Sequence, residues 1–159
     1  MKLYMKEKVF SWSDTFSVKD AYGEDKYTVE GEFFSLGKKL HVYDRSGAEV
    51  AFIQQELFTF LPQFTVSVGG QEIARVKREF SFLRPRYTIE NLGWDVEGSF
   101  WEHDYQITQN GRPVVTITKE WMTWGDTYEL DIENPADEIV ALAVVLTIDC
   151  VQEMQQNNN

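Results

Sequence analysis

The sequence predicts a mainly β protein, a closed antiparallel barrel of about twelve strands around a buried C-terminal helix. Three observations predict this fold class. Short apolar-rich segments alternate with turn signals, part of the sequence is repeated, and a long apolar run, Ile139–Val151, lies near the end of the chain. Short strands separated by turns are typical of all-β folds, and a helix that is apolar on every side has to be buried on every side.

Turn signals divide the chain before the apolar run into twelve candidate strands. The strongest turns are Gly69-Gly70 and Asn110-Gly111, because the central positions of a tight hairpin need residues that tolerate positive φ. Pro62 is expected to end the longest segment, which is long enough to bend. The predicted strands are Val9–Trp12, Thr15–Lys19, Lys26–Phe34, Lys39–Tyr43, Ala48–Phe60, Phe64–Val68, Gln71–Phe82, Tyr87–Glu90, Trp94–Trp101, Tyr105–Thr108, Pro113–Trp121 and Thr127–Ile132.

The repeat indicates an internal duplication. Tyr27–Phe33 (YTVEGEF) recurs as Trp94–Phe100 (WDVEGSF). We interpret the halves as two six-strand meanders, one near Lys8–Val66 and one near Arg78–Leu130, joined at Gly69-Gly70. A sheet of about twelve strands usually curls or closes, and closure around a helix removes its exposed edges. Three glycines are each followed nine residues later by a glutamate, in the pairs Gly47 and Glu56, Gly70 and Glu79, and Gly111 and Glu120.

The apolar run is predicted to be a core helix. Asn134 can cap its start, and Pro135 suits the first helical position. Its unbroken apolar part is Ile139–Leu146, and Asp149 places a charged group shortly after that part. A transmembrane helix needs about 20 apolar residues, so we expect no transmembrane span.

Composition limits the function classes. At 159 residues we expect a single domain over residues 1–154, followed by a disordered polar tail at residues 155–159. The net charge of −11 argues against a nucleic-acid partner, because phosphate binding needs an excess of Lys and Arg. A single cysteine, Cys150, excludes an internal disulfide, and we expect no signal peptide because residues 1–8 contain no apolar segment. We expect a cytoplasmic protein that is at most peripheral to a membrane.

These features together resemble the LURP-one-related family over most of the chain. The resemblance rests on the Val-Glu-Gly repeats (Val29–Gly31 and Val96–Gly98), the glycine-to-glutamate spacing, and the segments Lys77–Leu83 and Asn134–Cys150. The family's fold is shared with the Tubby C-terminal domain and is similar to that of the phospholipid scramblases. The resemblance therefore implies a barrel with a central helix. It implies little about activity, since family members look like non-enzymatic proteins connected with membranes, signalling or stress.

The densest basic cluster comprises Arg75, Lys77, Arg78, Arg84 and Arg86. Because Tubby domains bind phosphoinositide head groups with Lys and Arg of the barrel surface, the cluster is a candidate anion or phosphoinositide patch. However, alternation along a strand places Arg75 and Lys77 on one face and Arg78 on the other. The competing interpretation is a solvated strand pair with Arg–Glu contacts between strands.

An aromatic segment, Trp121–Asp126, is a candidate for an exposed apolar tip. Trp124 is then the side chain that meets a membrane interface or a protein partner. The alternative is that Trp124 covers one end of the barrel.

No catalytic residue, metal ligand or cofactor site is predicted. The repeated glutamates are expected to be structural because they recur with the duplication, and Cys150 lies in the apolar run. The sequence thus favours a non-catalytic binding or scaffold module, whose partner is an unidentified protein or a lipid head group. The alternatives are a scramblase-like lipid-handling protein and a small-ligand carrier or enzyme.

Overall fold

The computed structural model describes residues 1–6, 15–32, 36–81, 86–99, 104–122 and 125–157. Over these residues twelve antiparallel strands form a closed barrel, in which each strand pairs with its neighbours along the chain and the first strand pairs with the last. The predicted fold class is therefore confirmed. The strands are β1 (Lys2–Lys6), β2 (Thr15–Lys19), β3 (Asp25–Glu32), β4 (Lys39–Tyr43), β5 (Glu49–Gln55), β6 (Gln63–Val68), β7 (Gln71–Glu79), β8 (Arg86–Glu90), β9 (Trp94–Ser99), β10 (Asp104–Gln109), β11 (Arg112–Met122) and β12 (Gly125–Ile132), and they precede helix α1 (Glu138–Asn157).

The barrel interior is filled by side chains. Alternate residues of each strand point inward, as with Leu40 and Val42 of β4 or Phe64 and Val66 of β6, and are almost completely buried. They belong to one hydrophobic core that includes the helical segment 141–146. Burial of each large aliphatic side chain contributes about 1.5–3 kcal/mol, so the helix and the barrel stabilise each other.

The helix begins as the sequence predicts. Asn134 Oδ1 accepts a hydrogen bond from the Ala136 N–H (3.1 Å), and a short 3-10 turn, Pro135–Asp137, leads into α1. Inside the barrel the Thr147 hydroxyl donates to the Ala143 carbonyl (2.7 Å), which satisfies a buried polar group. The helix continues to Asn157, within the polar stretch for which the sequence predicts disorder. Among the described residues there is no helix long and apolar enough to cross a membrane.

The repeated sequences lie at matching places in the strand order, as the predicted duplication requires. The two Val-Glu-Gly sequences lie in β3 and β9, six strands apart, and Gly69-Gly70 forms the turn between β6 and β7. In β9 the glycine is required, because Gly98 has φ +123° and an added Cβ would lie 2.7 Å from both Asp104 O and Tyr105 Cα. The backbones of β9 and β10 therefore approach too closely for a side chain there.

The predicted first strand Val9–Trp12 lies outside the described residues. The sequence analysis did not predict β1, where three consecutive residues are buried and the alternation of a half-exposed strand is missing. The predicted strands Ala48–Phe60 and Gln71–Phe82 are wrong at their ends. Strand β5 stops at Gln55, and residues 56–62 form a loop. Strand β7 stops at Glu79, so Phe80 and Ser81 belong to the connection that follows it.

The barrel has two distinguishable ends. The lower end carries the connections that follow β2, β4, β6, β8 and β10, together with the start of α1. The upper end, toward which α1 runs, carries the connections 36–38, 56–62 and 80–81, which follow β3, β5 and β7.

Candidate docking surface at the upper end

The predicted basic cluster is divided between the two faces of β7. Arg75 and Lys77 lie together on the outer face, where carboxylates surround them. Arg75 Nε lies 2.7 Å from Glu56 Oε1, and its other nitrogens lie 3.5 Å from Glu72 and 3.8 Å from Glu90. Lys77 Nζ lies 2.9 Å from Glu90. These contacts are the Arg–Glu pairs of the competing interpretation.

The other members of the cluster are not brought into this group. Arg78 lies on the inner side of β7, opposite buried Tyr87 in the pairing of β7 with β8. Arg86 is exposed on the outer face of β8. Arg84 lies outside the described residues, as does Trp124, the predicted interface aromatic. The anion patch and the Trp124 interface stay predictions.

The structure reveals a different candidate surface at the upper end. Its side chains are large, apolar and exposed, and they sit on three connections whose flanking strands, β3 to β8, are consecutive in the barrel. Exposed apolar patches of this kind mark interaction sites. We call this surface the apolar rim, and it comprises Leu36 (83% exposed), Leu57 (45%), Phe58 (104%), Phe60 (97%) and Phe80 (68%).

Glu56 holds the base of the loop that carries most of the rim. Its backbone N–H donates to the Gln63 carbonyl (2.8 Å). Its carboxylate accepts hydrogen bonds from the Thr65 hydroxyl (2.9 Å) and from the Gln63 amide, and it also pairs with Arg75. A charged acceptor shared by several donors gives stronger bonds than neutral pairs. The loop is thus closed by a polar clamp at its foot while its tip remains apolar.

The loop tip is tied to its neighbours and turns outward. Phe58 has φ +62°, a left-handed conformation that costs a bulky residue of order 1–3 kcal/mol. The Arg78 N–H donates to the Pro62 carbonyl (3.0 Å). On the other side, the Gln55 N–H donates to the Lys38 carbonyl (2.8 Å), and the Lys38 N–H donates to Gln55 Oε1 (3.0 Å). These bonds join the 56–62 loop to the 36–38 connection on one side and to β7 on the other.

Among the described connections, the two ends differ in charge. At the upper end the described connections carry one base, Lys38, and one acid, Glu56. At the lower end the connections and the 3-10 turn carry five acidic residues against one basic residue, namely Asp20, Glu24, Asp44, Glu133 and Asp137 against Arg45.

Polar side chains lie inside the barrel beneath the rim. Asp149 Oδ1 and Gln152 Nε2, on the last turns of α1, are buried atoms, as are the hydroxyls of Tyr87 and Tyr105. Burial raises the pKa of the Asp149 carboxyl to about 7, and the charge of Glu153 adds to the effect. Burial likewise raises the pKa of Tyr87 to about 12. In the sequence Asp149 is visible as the residue that interrupts the apolar run, but its burial is not.

Three described residues of types that catalysis can use are buried or make contacts within the fold. Burial raises the pKa of the Cys150 thiol well above its ordinary value, which suppresses the nucleophilic thiolate. Glu79 accepts a hydrogen bond from the Thr88 hydroxyl (2.9 Å). His41 lies between Glu32 (Nε2, 3.2 Å) and Glu49 (Nδ1, 2.7 Å). No three metal-binding side chains converge in the described part of the chain.

Almost the whole chain is similar to known proteins. The sequence model of the LURP-one-related family matches residues 1–149. The uncharacterised protein YxjI of Bacillus subtilis (strain 168) is 34% identical over 151 residues, which cover 95% of this chain and 93% of that protein. A crystal structure of a protein from Arabidopsis thaliana matches with a TM-score of 0.63 over 94% of this chain and 90% of that chain, and its 18% identity makes this a likeness of fold alone. The chain belongs to the LURP-one-related family.

Proposed function

We propose that this protein is a non-catalytic binding module that docks on its partner through the apolar rim. One observation carries the proposal: five large apolar side chains are exposed together at one end of a barrel whose interior is otherwise filled. Single exposed apolar residues are common on protein surfaces, whereas a cluster of aromatic ones marks a contact surface.

The loop architecture supports docking at the rim. The contacts of Glu56 and the backbone bonds on both sides hold the two ends of the loop that carries Phe58 and Phe60. A surface that is ordered in advance loses less conformational entropy on binding. The left-handed backbone conformation of Phe58 makes folding less favourable. A function that needs the ring to point outward explains why this conformation is kept.

The filled interior favours a module that binds on its outside. Residues 141–146 of α1 and the inward side chains of the strands share one core, so the helix fills the centre of the barrel. The burial of Cys150 and the structural contacts of Glu56 and Glu79 support a role without catalysis.

The test is site-specific photo-crosslinking. A photoreactive phenylalanine analogue replaces Phe60 at the upper end or, as the matched control, Tyr22 at the lower end, which is 91% exposed. Each protein is irradiated in a cell extract that contains membranes. We expect lipid or protein adducts from position 60 in clear excess over those from position 22. Equal labelling from both positions, or none from position 60, would contradict the proposal.

A second substitution tests whether the rim acts as a unit. Adding Phe58→Ser to the protein with the probe at position 60 should lower the adduct yield, because the neighbouring ring contributes to the same contact. An unchanged yield would mean that the probe reacts through random collisions.

A further inference from the structure

We infer that the partner of the apolar rim is an electrically neutral lipid surface, such as the interface of a phosphatidylcholine bilayer, which the barrel meets with its upper end. This inference rests on the proposed function and names the partner of the same surface.

The shape of the rim favours a lipid surface over a folded protein. Phe58, Phe60 and Leu36 are almost fully exposed, so they project from the surface and do not line a groove. In a protein complex the side chains that dominate binding fill well-packed pockets, so they require a partner of matching shape. Projecting aromatic and leucine side chains instead suit the boundary between head groups and acyl chains, where an apolar side chain needs no shaped pocket.

The arrangement of the connections sets the orientation. The three rim connections follow β3, β5 and β7, so the rim spans one continuous arc of the upper end. An arc of side chains at one end of a barrel can enter a planar interface together. The barrel then extends away from the membrane, and the start of α1 lies at the end that is far from the lipid.

Charge selects a neutral surface over an anionic one. The chain has a net charge of −11, and the acidic connections of the lower end lie opposite the rim. Close to the rim, Arg75 and Lys77 are already paired with carboxylates, and Arg86 lies opposite Glu79 in the pairing of β7 with β8. An anionic bilayer attracts clusters of unpaired Lys and Arg and repels surplus carboxylates. The apolar contacts are therefore expected to supply the attraction.

The experiment is vesicle flotation of the full chain. One set of vesicles is pure phosphatidylcholine and the other is phosphatidylcholine mixed with anionic phosphatidylglycerol, each at low and high salt. We expect binding to pure phosphatidylcholine that salt changes by less than about twofold, because screening acts on charges and not on apolar contacts. Anionic lipid is expected to give no gain in binding.

Matched variants locate the contact. Phe58→Ser with Phe60→Ser should weaken binding by about tenfold or more, because two exposed rings leave the interface. Tyr22→Ser, at the lower end, should leave binding unchanged. All three side chains are exposed, so both variants are expected to retain the wild-type melting temperature, which circular dichroism checks.

Several results would overturn the inference. They are absence of flotation, flotation that requires phosphatidylglycerol and disappears in high salt, equal binding by the double variant, or self-association of the free protein that the double variant abolishes in sedimentation equilibrium. If flotation fails while position 60 still crosslinks to protein, the lipid partner is wrong and the docking function stands. If both fail, both are wrong.

Discussion

Replacing Asp149 by Asn should make the protein more stable at alkaline pH. Asp149 lies on α1 with a carboxylate oxygen buried inside the upper end of the barrel. Burial raises its pKa from the ordinary value of 3.8 to about 7, and the nearby charge of Glu153 adds to this. Asn has nearly the same shape and carries no charge at any pH.

The sign and size of the effect come from the two pKa values. Between pH 4 and 7 the folded protein keeps this proton and the unfolded chain releases it, so stability falls as the pH rises through this window. Above a pH of about 7 this loss of unfolding free energy is complete. The gap between 3.8 and about 7 corresponds to at most about 4 kcal/mol, at 1.36 kcal/mol per pH unit.

The assay is urea unfolding of both proteins from pH 4 to pH 8, with the free energy of unfolding extrapolated to water. We expect similar values at pH 4 and an advantage for Asp149→Asn that grows toward pH 8. Asp20, Asp25 and Asp44, whose hydrogen bonds and ion pairs lower their carboxyl pKa, affect both proteins equally and cancel in the difference.

The control separates burial from net charge. Asp95→Asn removes one negative charge from an exposed position on β9, so it reports the general effect of a less acidic chain. If wild type and Asp149→Asn lose stability in parallel between pH 5 and 8, or if Asp95→Asn gains as much, the reasoning about the buried carboxyl is refuted.

Three further predictions concern the fold. Leu142→Asp should abolish cooperative unfolding by placing a carboxylate in the core, whereas Leu142→Met should cost less than about 1.5 kcal/mol; a folded aspartate variant would contradict the central helix. Gly98→Ala should lower the free energy of unfolding by at least about 3 kcal/mol. Gly47→Ala should lower it by about 1–2 kcal/mol, because Gly47 also has positive φ but faces open space. Equal losses would contradict the close approach of β9 and β10. Arg75→Gln should change stability by no more than about 1 kcal/mol because its ion pairs are partly exposed, and a larger loss by urea unfolding would show that they stabilise the barrel strongly.

Local chemistry explains which parts of the fold are predictable from the sequence. Asn134 and Pro135 define the start of the helix because capping depends on a few adjacent residues. Gly69-Gly70 defines a hairpin for the same reason. Strand alternation alone places Arg75 and Lys77 on one face of β7 and Arg78 on the other. Which carboxylates pair with Arg75 and Lys77 depends on strand register, which no local pattern specifies.

The rim was not predicted, because the exposure of most of its side chains depends on where β5 and β7 stop. An apolar segment that ends at Pro62 has the pattern of a bent strand as well as that of an apolar loop. The alternation of burial along β5, in which Ala51 and Ile53 are buried, is not visible in the sequence, because residues 50–53 are all apolar.

The most direct test of docking through the upper end uses an environment-sensitive fluorophore. It is attached through Phe60→Cys or, as the control, Tyr22→Cys, while native Cys150 stays unlabelled because its thiol is buried. We predict that phosphatidylcholine vesicles shift the emission of the dye at position 60 to shorter wavelength and leave the dye at position 22 unchanged. Equal shifts at both positions, or no shift at position 60, would contradict the account.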